Sequence, residues 1–243
     1  MEKITSLQNA RVKAWCRLRQ KKERDAAGLF LADGDHLIEE ARAAGILETV
    51  ITDRDTIYDG AETVWVTEAV MHKIGATVST VHAIGVCRKK ETYPASCRRV
   101  LLLDGIQDPG NLGTLIRTAR SFSFDAVFCS RDTCDLYNEK ALRSTQGAMF
   151  HIPVLYRDLA SLIKELQQDG VVVCSAALDA SVPLSSLQES EKMAIVLGNE
   201  GNGIREAIQK ASDVRVRIEM DGFESLNVAV AGGILMHRFR SRI

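Results

Sequence analysis

Residues 218–231 read Ile-Glu-Met-Asp-Gly-Phe-Glu-Ser-Leu-Asn-Val-Ala-Val-Ala, and they connect a predicted strand to a long apolar helix. Three polar side chains, Glu224, Ser225 and Asn227, stand at the beginning of that helix. A helix N-terminus offers free backbone N–H groups, and polar side chains beside it add hydrogen-bond acceptors. This stretch therefore predicts a ligand-binding site where the strand gives way to the helix.

Two further polar junctions lie upstream: Asp-Pro-Gly-Asn-Leu-Gly at 108–113 and Gly-Asn-Glu-Gly-Asn-Gly at 198–203. Apolar runs in the same half of the chain are typical of a parallel sheet covered on both faces. They predict strands at 100–103, 126–129, 171–175 and 194–197, with helices at 112–122, 158–169, 204–211 and 226–239. Ligands of such an α/β sheet bind at the carboxyl ends of its strands. The three junctions therefore predict one composite pocket.

The first half of the chain mixes shorter strand candidates with helices. The pattern predicts helices at 7–24 and 36–44, and strands at 29–32, 48–52, 63–66 and 82–87. The polar segment 88–96 contains Pro94 and has no periodicity, which predicts a linker. We therefore expect two domains, residues 1–95 and residues 96–243.

The composition is ordinary for a soluble globular protein: 243 residues, 46% hydrophobic and 26% charged, with a net charge of −1. No apolar run reaches membrane-spanning length, and the N-terminus lacks an apolar signal core. The six cysteines form no Cys-x-x-Cys pair, which predicts buried free thiols in a reducing cytosol and no metal site. We expect a cytoplasmic protein that binds neither membrane nor metal.

Basic residues are concentrated near the N-terminus, against only Glu2 and Glu23. They are Lys3, Arg11, Lys13, Arg17, Arg19, Lys21, Lys22 and Arg24. Two interpretations fit this cluster: a footprint for a nucleic-acid phosphate backbone, or a solvated helix face. Trp15 beside the cluster could stack on a base, but we favour a core or interface position for it.

The glycine order at 198–203 argues against two common nucleotide sites. It is G-x-x-G-x-G instead of the dinucleotide pattern G-x-G-x-x-G, and no Lys-Ser/Thr follows as in a P-loop. In the helix after Asn111, the helix dipole disfavours a cation at Arg117, unless an anion such as a phosphate binds there. The alternative is a surface arginine paired with a carboxylate such as Asp108.

Three segments, 104–119, 197–204 and 218–231, resemble motifs one, two and three of the SpoU (TrmH-like) RNA ribose 2′-O-methyltransferases, a family of the SPOUT superfamily. Residues 143–154 resemble the family's sequence between the first two motifs. The first half is similar to the family's substrate-binding domain through residues 4–9, 21–24 and 28–34. The chain departs from the family at Asp33, where Glu is usual, and at Glu219, where motif three usually has proline.

The resemblance implies an α/β protein. A C-terminal parallel-sheet SPOUT domain would carry a trefoil knot, and a smaller N-terminal α/β domain, related to small ribosomal proteins, would bind RNA. It also implies a homodimer, S-adenosylmethionine as the methyl donor and RNA as the substrate, with ribosomal RNA favoured over transfer RNA. The implied reaction is attack of a ribose 2′-oxygen on the donor's methyl carbon.

The resemblance also implies roles for particular residues. The catalytic set is Asn111, Arg117, Glu200, Ser225 and Asn227. The cofactor-binding set is Leu197, Gly198, Asn199, Gly201, Ile218, Met220, Ser225, Leu226 and Asn227. The RNA-binding set is Arg11, Lys13, Arg17, Lys21, Lys22, Arg24 and Arg117. Because guanidinium is a poor proton acceptor, we expect Arg117 to hold a phosphate and stabilise the developing alkoxide.

Three alternatives remain beside this hypothesis: a transfer RNA ribose 2′-O-methyltransferase, a non-catalytic RNA-binding protein with the same fold, and a base-methylating SPOUT enzyme. Binding of the methyl donor separates the second alternative from the enzymes.

Overall fold

A computed structural model describes residues 2–75, 81–179, 182–188, 190–221 and 225–240. The chain divides into two compact units. The first consists of Met1–Lys90 and Tyr137–Phe150, and the second of Glu91–Leu136 and His151–Ile243. The division at Lys90 lies inside the polar segment 88–96.

The elements follow one another in mixed order along the chain. Residues 2–88 form β1 (Glu2–Ile4), α1 (Ala10–Arg17), α2 (Lys21–Ala27), β2 (Leu29–Asp33), α3 (Asp35–Ala43), β3 (Leu47–Thr52), β4 (Glu62–Val66), α4 (Glu68–Ile74) and β5 (Ala83–Arg88). Residues 99–238 form β6 (Arg99–Asp104), α5 (Pro109–Ser121), β7 (Ala126–Cys129), α6 (Glu139–Thr145), a 3₁₀ turn (Ala148–Phe150), β8 (Val154–Tyr156), α7 (Leu159–Gln168), β9 (Val172–Ala176), β10 (Val182–Pro183), a second 3₁₀ turn (Leu184–Ser186), β11 (Met193–Gly198), α8 (Glu206–Ala211), β12 (Val214–Arg217) and α9 (Val228–Arg238).

The predicted strands and helices are confirmed to within three residues at each end, except for the helix predicted at 7–24. That prediction was wrong, because the chain breaks between α1 and α2, where Gln20 adopts an extended conformation. The guanidinium of Arg24 is buried and donates to the carbonyl oxygens of Leu18 and Arg19 at 2.9 and 2.8 Å. These bonds satisfy carbonyls that the end of α1 leaves free, so a buried cation stabilises the break.

The second unit contains the predicted parallel sheet. Its strands run in the order β10-β12-β9-β11-β6-β7-β8, and every neighbouring pair is parallel. Val100 and Leu102 of β6 pack with side chains of α7, while Leu101 and Leu103 alternate to the other face and are equally buried. Both faces of the central strands are therefore covered, as their continuous apolar sequence predicts.

The first unit has a mixed sheet in the order β1-β4-β3-β5-β2. The chain returns to this unit at Tyr137, and Leu142 of α6 joins a buried cluster with Phe30 of β2. The Tyr137 and Phe150 rings lie 4.8 and 5.7 Å from the Phe30 ring, measured between centroids. Residues 137–150 therefore help to build the core of the first unit, although they interrupt the second in sequence.

Trp15 is a core residue of the first unit, as we expected, with 6% of its surface exposed. Cys87, Cys129 and Cys174 are buried free thiols, whereas Cys16, Cys97 and Cys134 are half-buried and also free. Within the described ranges, no helix is both long and apolar enough to cross a membrane.

The packing of α9 gives a stability prediction with a built-in control. A Cβ added at Gly232 would lie 2.3 Å from Leu115 Cδ2 and 2.8 Å from Leu197 Cδ1, whereas one added at Gly233 has nothing within 4 Å. We expect Gly232→Ala to lower the free energy of unfolding by about 1–3 kcal/mol through overpacking. Gly233→Ala should raise it by roughly 0.5–1 kcal/mol, because alanine favours a helix interior. Chemical denaturation of both variants measures the difference, and equal effects would contradict this packing.

Candidate active site

The carboxyl ends of β6 and β11 lie side by side, because the sheet register pairs Asp104 with Gly198. Glu200, two residues beyond β11, reaches across to the segment that follows β6. Its carboxylate accepts hydrogen bonds from the backbone N–H groups of Gln107 and Asp108, each at 3.0 Å. One side chain therefore ties two of the three predicted junctions together.

The third junction is joined through two asparagines. Asn111 donates from Nδ2 to Glu200 Oε1 at 3.1 Å, and its Oδ1 accepts from Asn227 Nδ2 at 3.0 Å. Asn227 in turn caps α9, since its Oδ1 accepts from the N–H groups of Ala229 and Val230 at 2.9 and 3.3 Å. We call Glu200, Asn111 and Asn227 the polar chain.

The direction of every bond in the polar chain is determined by its two ends. The N–H groups that begin α9 need an acceptor, so Asn227 must present its oxygen to them and its NH₂ to Asn111. The Glu200 carboxylate at the other end needs donors, so Asn111 must present its NH₂ there. The hydrogen bonds of the polar chain can all form in only one orientation of the two asparagine amides. The polar chain therefore connects α9 to the segment after β11 in a defined geometry.

Opposing effects act on the pKa of Glu200. Partial burial would raise it, but hydrogen bonds from Asn111 and from the N–H groups of Gln107 and Asp108 together outweigh burial, so the pKa is lowered. Glu200 is therefore an anion at neutral pH. Since a lowered pKa also makes it a weak base, the geometry suits it to positioning its neighbours.

The loop after β11 is held in a tight form. Asn199 and Gly203 exchange two backbone hydrogen bonds of 2.9 Å, and Asn199 Nδ2 donates to the Gly105 carbonyl at 2.8 Å. At the far end of the loop, Arg205 donates from N and Nε to the buried carboxylate of Asp104 at 2.9 and 2.8 Å. The backbone passes so close to Gly198 that an added Cβ would lie 2.2 Å from the Gly203 carbonyl carbon.

A cavity of about 560 Å³ opens beside the polar chain. All nine residues expected to bind the cofactor line it, together with Glu200: Leu197, Gly198, Asn199, Gly201, Ile218, Met220, Ser225, Leu226 and Asn227. Other parts of the wall were not predicted from the sequence, among them Ala176, Ala177 and Leu178. These residues end or follow β9, so the same strand-end argument applied to that strand would have found them.

The catalytic set is brought together only in part. Asn111, Glu200 and Asn227 form the polar chain and Ser225 lines the cavity. Arg117 lies six residues beyond Asn111 along α5, or about 9 Å of helix rise. It does not line this cavity; its side chain is exposed and has no ion pair with a described residue, Asp108 included. Glu224 lies outside the described residues.

The expected RNA-binding residues of the first unit occupy different environments. Lys13, Arg17, Lys21 and Lys22 are exposed, whereas Arg11 is half-buried and bonded to Glu2 and Glu62. Arg24 is buried with 6% of its surface exposed and serves the α1 end, so the structure removes it from the set of surface phosphate ligands. The described residues contain no group of three or more His, Cys, Asp or Glu side chains arranged for a metal ion.

Comparison with known proteins places this site in a family. A family model described as the SpoU rRNA Methylase family matches residues 98–237, and an MRM3-like substrate binding domain model matches residues 9–85. The 23S rRNA (guanosine(2553)-2'-O)-methyltransferase RlmP of Bacillus subtilis is 39% identical over 99% of this chain and 100% of its own length. The 23S rRNA (guanosine-2'-O-)-methyltransferase RlmB of Xanthomonas campestris is 37% identical over 59% of each chain. A crystal structure of an AdoMet-bound rRNA methyltransferase from Sinorhizobium meliloti has a TM-score of 0.87 and 28% identity, covering 98% of this chain and 96% of that one.

Two glycines of the loop after β11 give a matched prediction. We expect Gly198→Ala to lower the free energy of unfolding by about 1–3 kcal/mol, because the backbone at Gly203 cannot move aside as a flexible side chain would. Gly201→Ala should change it by less than about 0.5 kcal/mol, since an added Cβ meets only Asn199 Oδ1 at an ordinary 3.6 Å. Thermal and urea unfolding of the two variants measure this, and a tolerated Gly198→Ala would overturn the loop geometry.

Proposed function

Since the chain belongs to the SpoU rRNA methylase family, we propose that it transfers a methyl group from S-adenosylmethionine to a ribose 2′-hydroxyl of ribosomal RNA. The observation that carries this proposal is the polar chain of Glu200, Asn111 and Asn227. It joins three strand-end junctions beside one cavity, so that a bound methyl donor and an RNA ribose can be held in fixed relation.

The cavity suits the methyl donor in size and in chemistry. Its volume falls within the range of small-molecule sites, roughly 300–1,000 Å³. Leu197, Ile218 and Met220 supply an apolar wall for the adenine base, while the tight loop at 198–203 presents backbone polar groups. Because Gly201 carries no side chain and lines the cavity, a ligand can approach the loop backbone closely there.

When bound, S-adenosylmethionine supplies a methyl carbon already activated by its sulfonium. The protein then has to orient the attacking hydroxyl and stabilise the charge that develops on its oxygen. We assign the orientation to Asn111 and Asn227 with Ser225, and assign Glu200 to holding Asn111 in place. Glu200 is a weak base because its pKa is lowered, which favours this positioning role over proton abstraction.

We assign Arg117 to the RNA. Its guanidinium is exposed and has no ion pair among the described residues. A guanidinium can donate two parallel hydrogen bonds to a phosphate, so Arg117 can hold the target nucleotide and stabilise a developing alkoxide. An arginine in this role acts as an electrostatic stabiliser and not as a general base.

We propose that residues 1–95 bind the RNA substrate and that residues 96–243 carry out methyl transfer. The match of residues 9–85 to a substrate binding domain supports this division. The phosphate contacts then come from four exposed side chains, Lys13, Arg17, Lys21 and Lys22. Arg11, which is bonded to Glu2 and Glu62, adds a further positive charge beside them. Arg24 is left out because its guanidinium is buried.

We also propose a cytoplasmic homodimer. Two large apolar side chains of α9, Val230 and Ile234, stand four residues apart and are 51% and 37% exposed, and Leu226, 37% exposed, lies just before the cap of the helix. Residues four apart lie on one face of a helix, so Val230 and Ile234 form an apolar strip that a second copy of the chain can cover.

The methyl-transfer reaction gives the test of function. We expect labelled methyl from S-adenosylmethionine to appear on ribosomal RNA transcripts, at one alkali-resistant linkage. Arg117→Ala should lower kcat at least about 100-fold, because an electrostatic stabiliser is lost. Arg120→Ala, an exposed arginine on the same helix, serves as the control and should retain activity. If label appeared on transfer RNA alone, the substrate would be transfer RNA and not ribosomal RNA. If the protein bound no methyl donor at all, it would be a non-catalytic RNA-binding protein.

The salt dependence of RNA binding tests the first unit. Replacing Lys13 and Arg17 of α1 by alanine should weaken RNA binding and reduce the slope of log K against log salt by about 1.5, from two lost phosphate contacts. A control double variant, Lys164→Ala with Lys210→Ala, removes equal charge from α7 and α8. An equal loss of slope in both variants would show that only total charge matters.

Sedimentation at micromolar concentration tests the homodimer. We expect the wild-type chain to sediment as a dimer and the Val230→Glu variant as a monomer. The desolvation penalty of a carboxylate buried in the apolar strip would exceed the favourable free energy of the contact. A wild-type chain that sediments as a single copy would contradict the proposed assembly.

A further inference from the structure

Glu219 stands between two residues of the cavity wall, Ile218 and Met220. Its carboxylate is engaged by the 3₁₀ turn at Leu184–Ser186. Oε2 accepts from the N–H of Leu184 and Oε1 from the N–H of Ser185, each at 3.1 Å, and the Ser185 hydroxyl also donates to Oε1. One side chain thus receives three hydrogen bonds from a segment that lies 34 residues upstream in sequence.

The segment that Glu219 holds is itself anchored at other points. Its first residues form β10, which pairs with β12 through Val182 and Val216. Leu184 is buried, and the Leu187 carbonyl accepts from Arg238 Nη2 of α9 at 3.2 Å. Residues 182–187 are therefore a firm attachment for any side chain bonded to them.

The part of the chain that Glu219 belongs to has no comparable support of its own. β12 ends at Arg217, and residues 218–221 form neither helix nor strand. Backbone ladder bonds therefore do not fix the positions of Ile218 and Met220. Glu219 lies between Ile218 and Met220 in the sequence, and its three hydrogen bonds supply the constraint that the backbone lacks.

We propose that Glu219 is a positioning residue for the methyl donor: by binding the turn at Leu184–Ser186, its carboxylate holds Ile218 and Met220 in the cavity wall. This inference rests on the proposed function, because the cavity it concerns is the donor site. Glu219 itself touches neither the donor nor the RNA. Its effect is therefore on donor affinity and not on the chemical step.

The ionisation of Glu219 sets the pH range of the effect. The Ser185 side-chain hydrogen bond is the largest influence on its pKa, and the pKa is lowered. A carboxylate whose pKa is lowered in the folded state stabilises its contacts above its ordinary unfolded pKa, and that contribution is lost as the pH falls through the folded pKa. The three hydrogen bonds between Glu219 and the turn at Leu184–Ser186, which we call the Glu219 clamp, are therefore intact throughout the neutral pH range. A profile of donor affinity from pH 6 to 9 should show no step from the titration of Glu219.

The experiment compares donor affinity, kinetics and stability in matched variants. Isothermal titration with S-adenosylmethionine gives Kd, and methyl transfer to ribosomal RNA gives kcat and the KM for the donor. We expect Glu219→Ala to raise Kd and KM about tenfold, with kcat at saturating donor within about twofold of wild type. Glu219→Gln, which keeps one acceptor oxygen, should give an intermediate Kd. Glu165→Ala is the control, since Glu165 forms an exposed pair with Arg157 outside the cavity.

A second variant keeps the test decisive if Glu219→Ala fails to fold. Ser185→Ala removes the hydroxyl donor to Glu219 and should by itself raise Kd about two- to threefold. Where Glu219→Ala does fold, the effect of Ser185→Ala should disappear in that background. Wild-type protein that binds no donor would refute the proposed function itself. Wild-type binding with Glu219→Ala equal to Glu165→Ala, or a lowered melting temperature with unchanged Kd, would overturn the role of Glu219.

Discussion

The hydrogen bonds that Glu200 receives are the constraint on which the rest of the site depends. Parallel strands bring their carboxyl ends to one edge, but the loops beyond them have no ladder to hold them together. Glu200 supplies that connection, since its carboxylate binds the backbone after β6 and the Asn111 side chain at once. Asn111 passes the constraint to Asn227 and so to the N-terminus of α9. The cavity wall is then built from segments that no longer move independently.

Glycine makes this arrangement sterically possible at two positions, Gly198 and Gly232. Gly198 allows the loop to fold back until backbone lies against backbone, which brings Glu200 within reach of the β6 end. Gly232 allows α9 to approach Leu115 and Leu197 closely, which brings the capped end of that helix to the same edge of the sheet. The polar chain and the two glycines therefore have the same effect: they keep the N-terminus of α9 close to the carboxyl ends of the strands.

The sequence predicted what depends on periodicity and on strand ends. Continuous apolar strands identify a sheet buried on both faces, and polar residues at the ends of those strands identify Glu200, Asn111 and Asn227 as neighbours. The break between α1 and α2 could not be predicted this way, because the Arg24 guanidinium that stabilises it reads as one more surface cation in a basic run. The role of residues 137–150 was hidden for a similar reason, since their contacts with Phe30 are made far away in sequence. The Glu219 clamp likewise joins side chains that no local pattern relates. The knot implied by the family resemblance stays a prediction, and local patterns cannot indicate it, since it concerns the path of the whole chain.

The central claim is that Glu200 and Asn111 act as one unit, and a double-mutant cycle on methyl transfer tests it most directly. The cycle compares kcat of the wild type, Asn111→Ala, Glu200→Ala and the double variant at saturating donor and RNA. Either single change breaks the polar chain, so we predict that the double variant loses little more activity than the worse single variant, a coupling of at least about 1 kcal/mol. If the two losses multiply, the residues act independently, and the polar chain is not what organises this site.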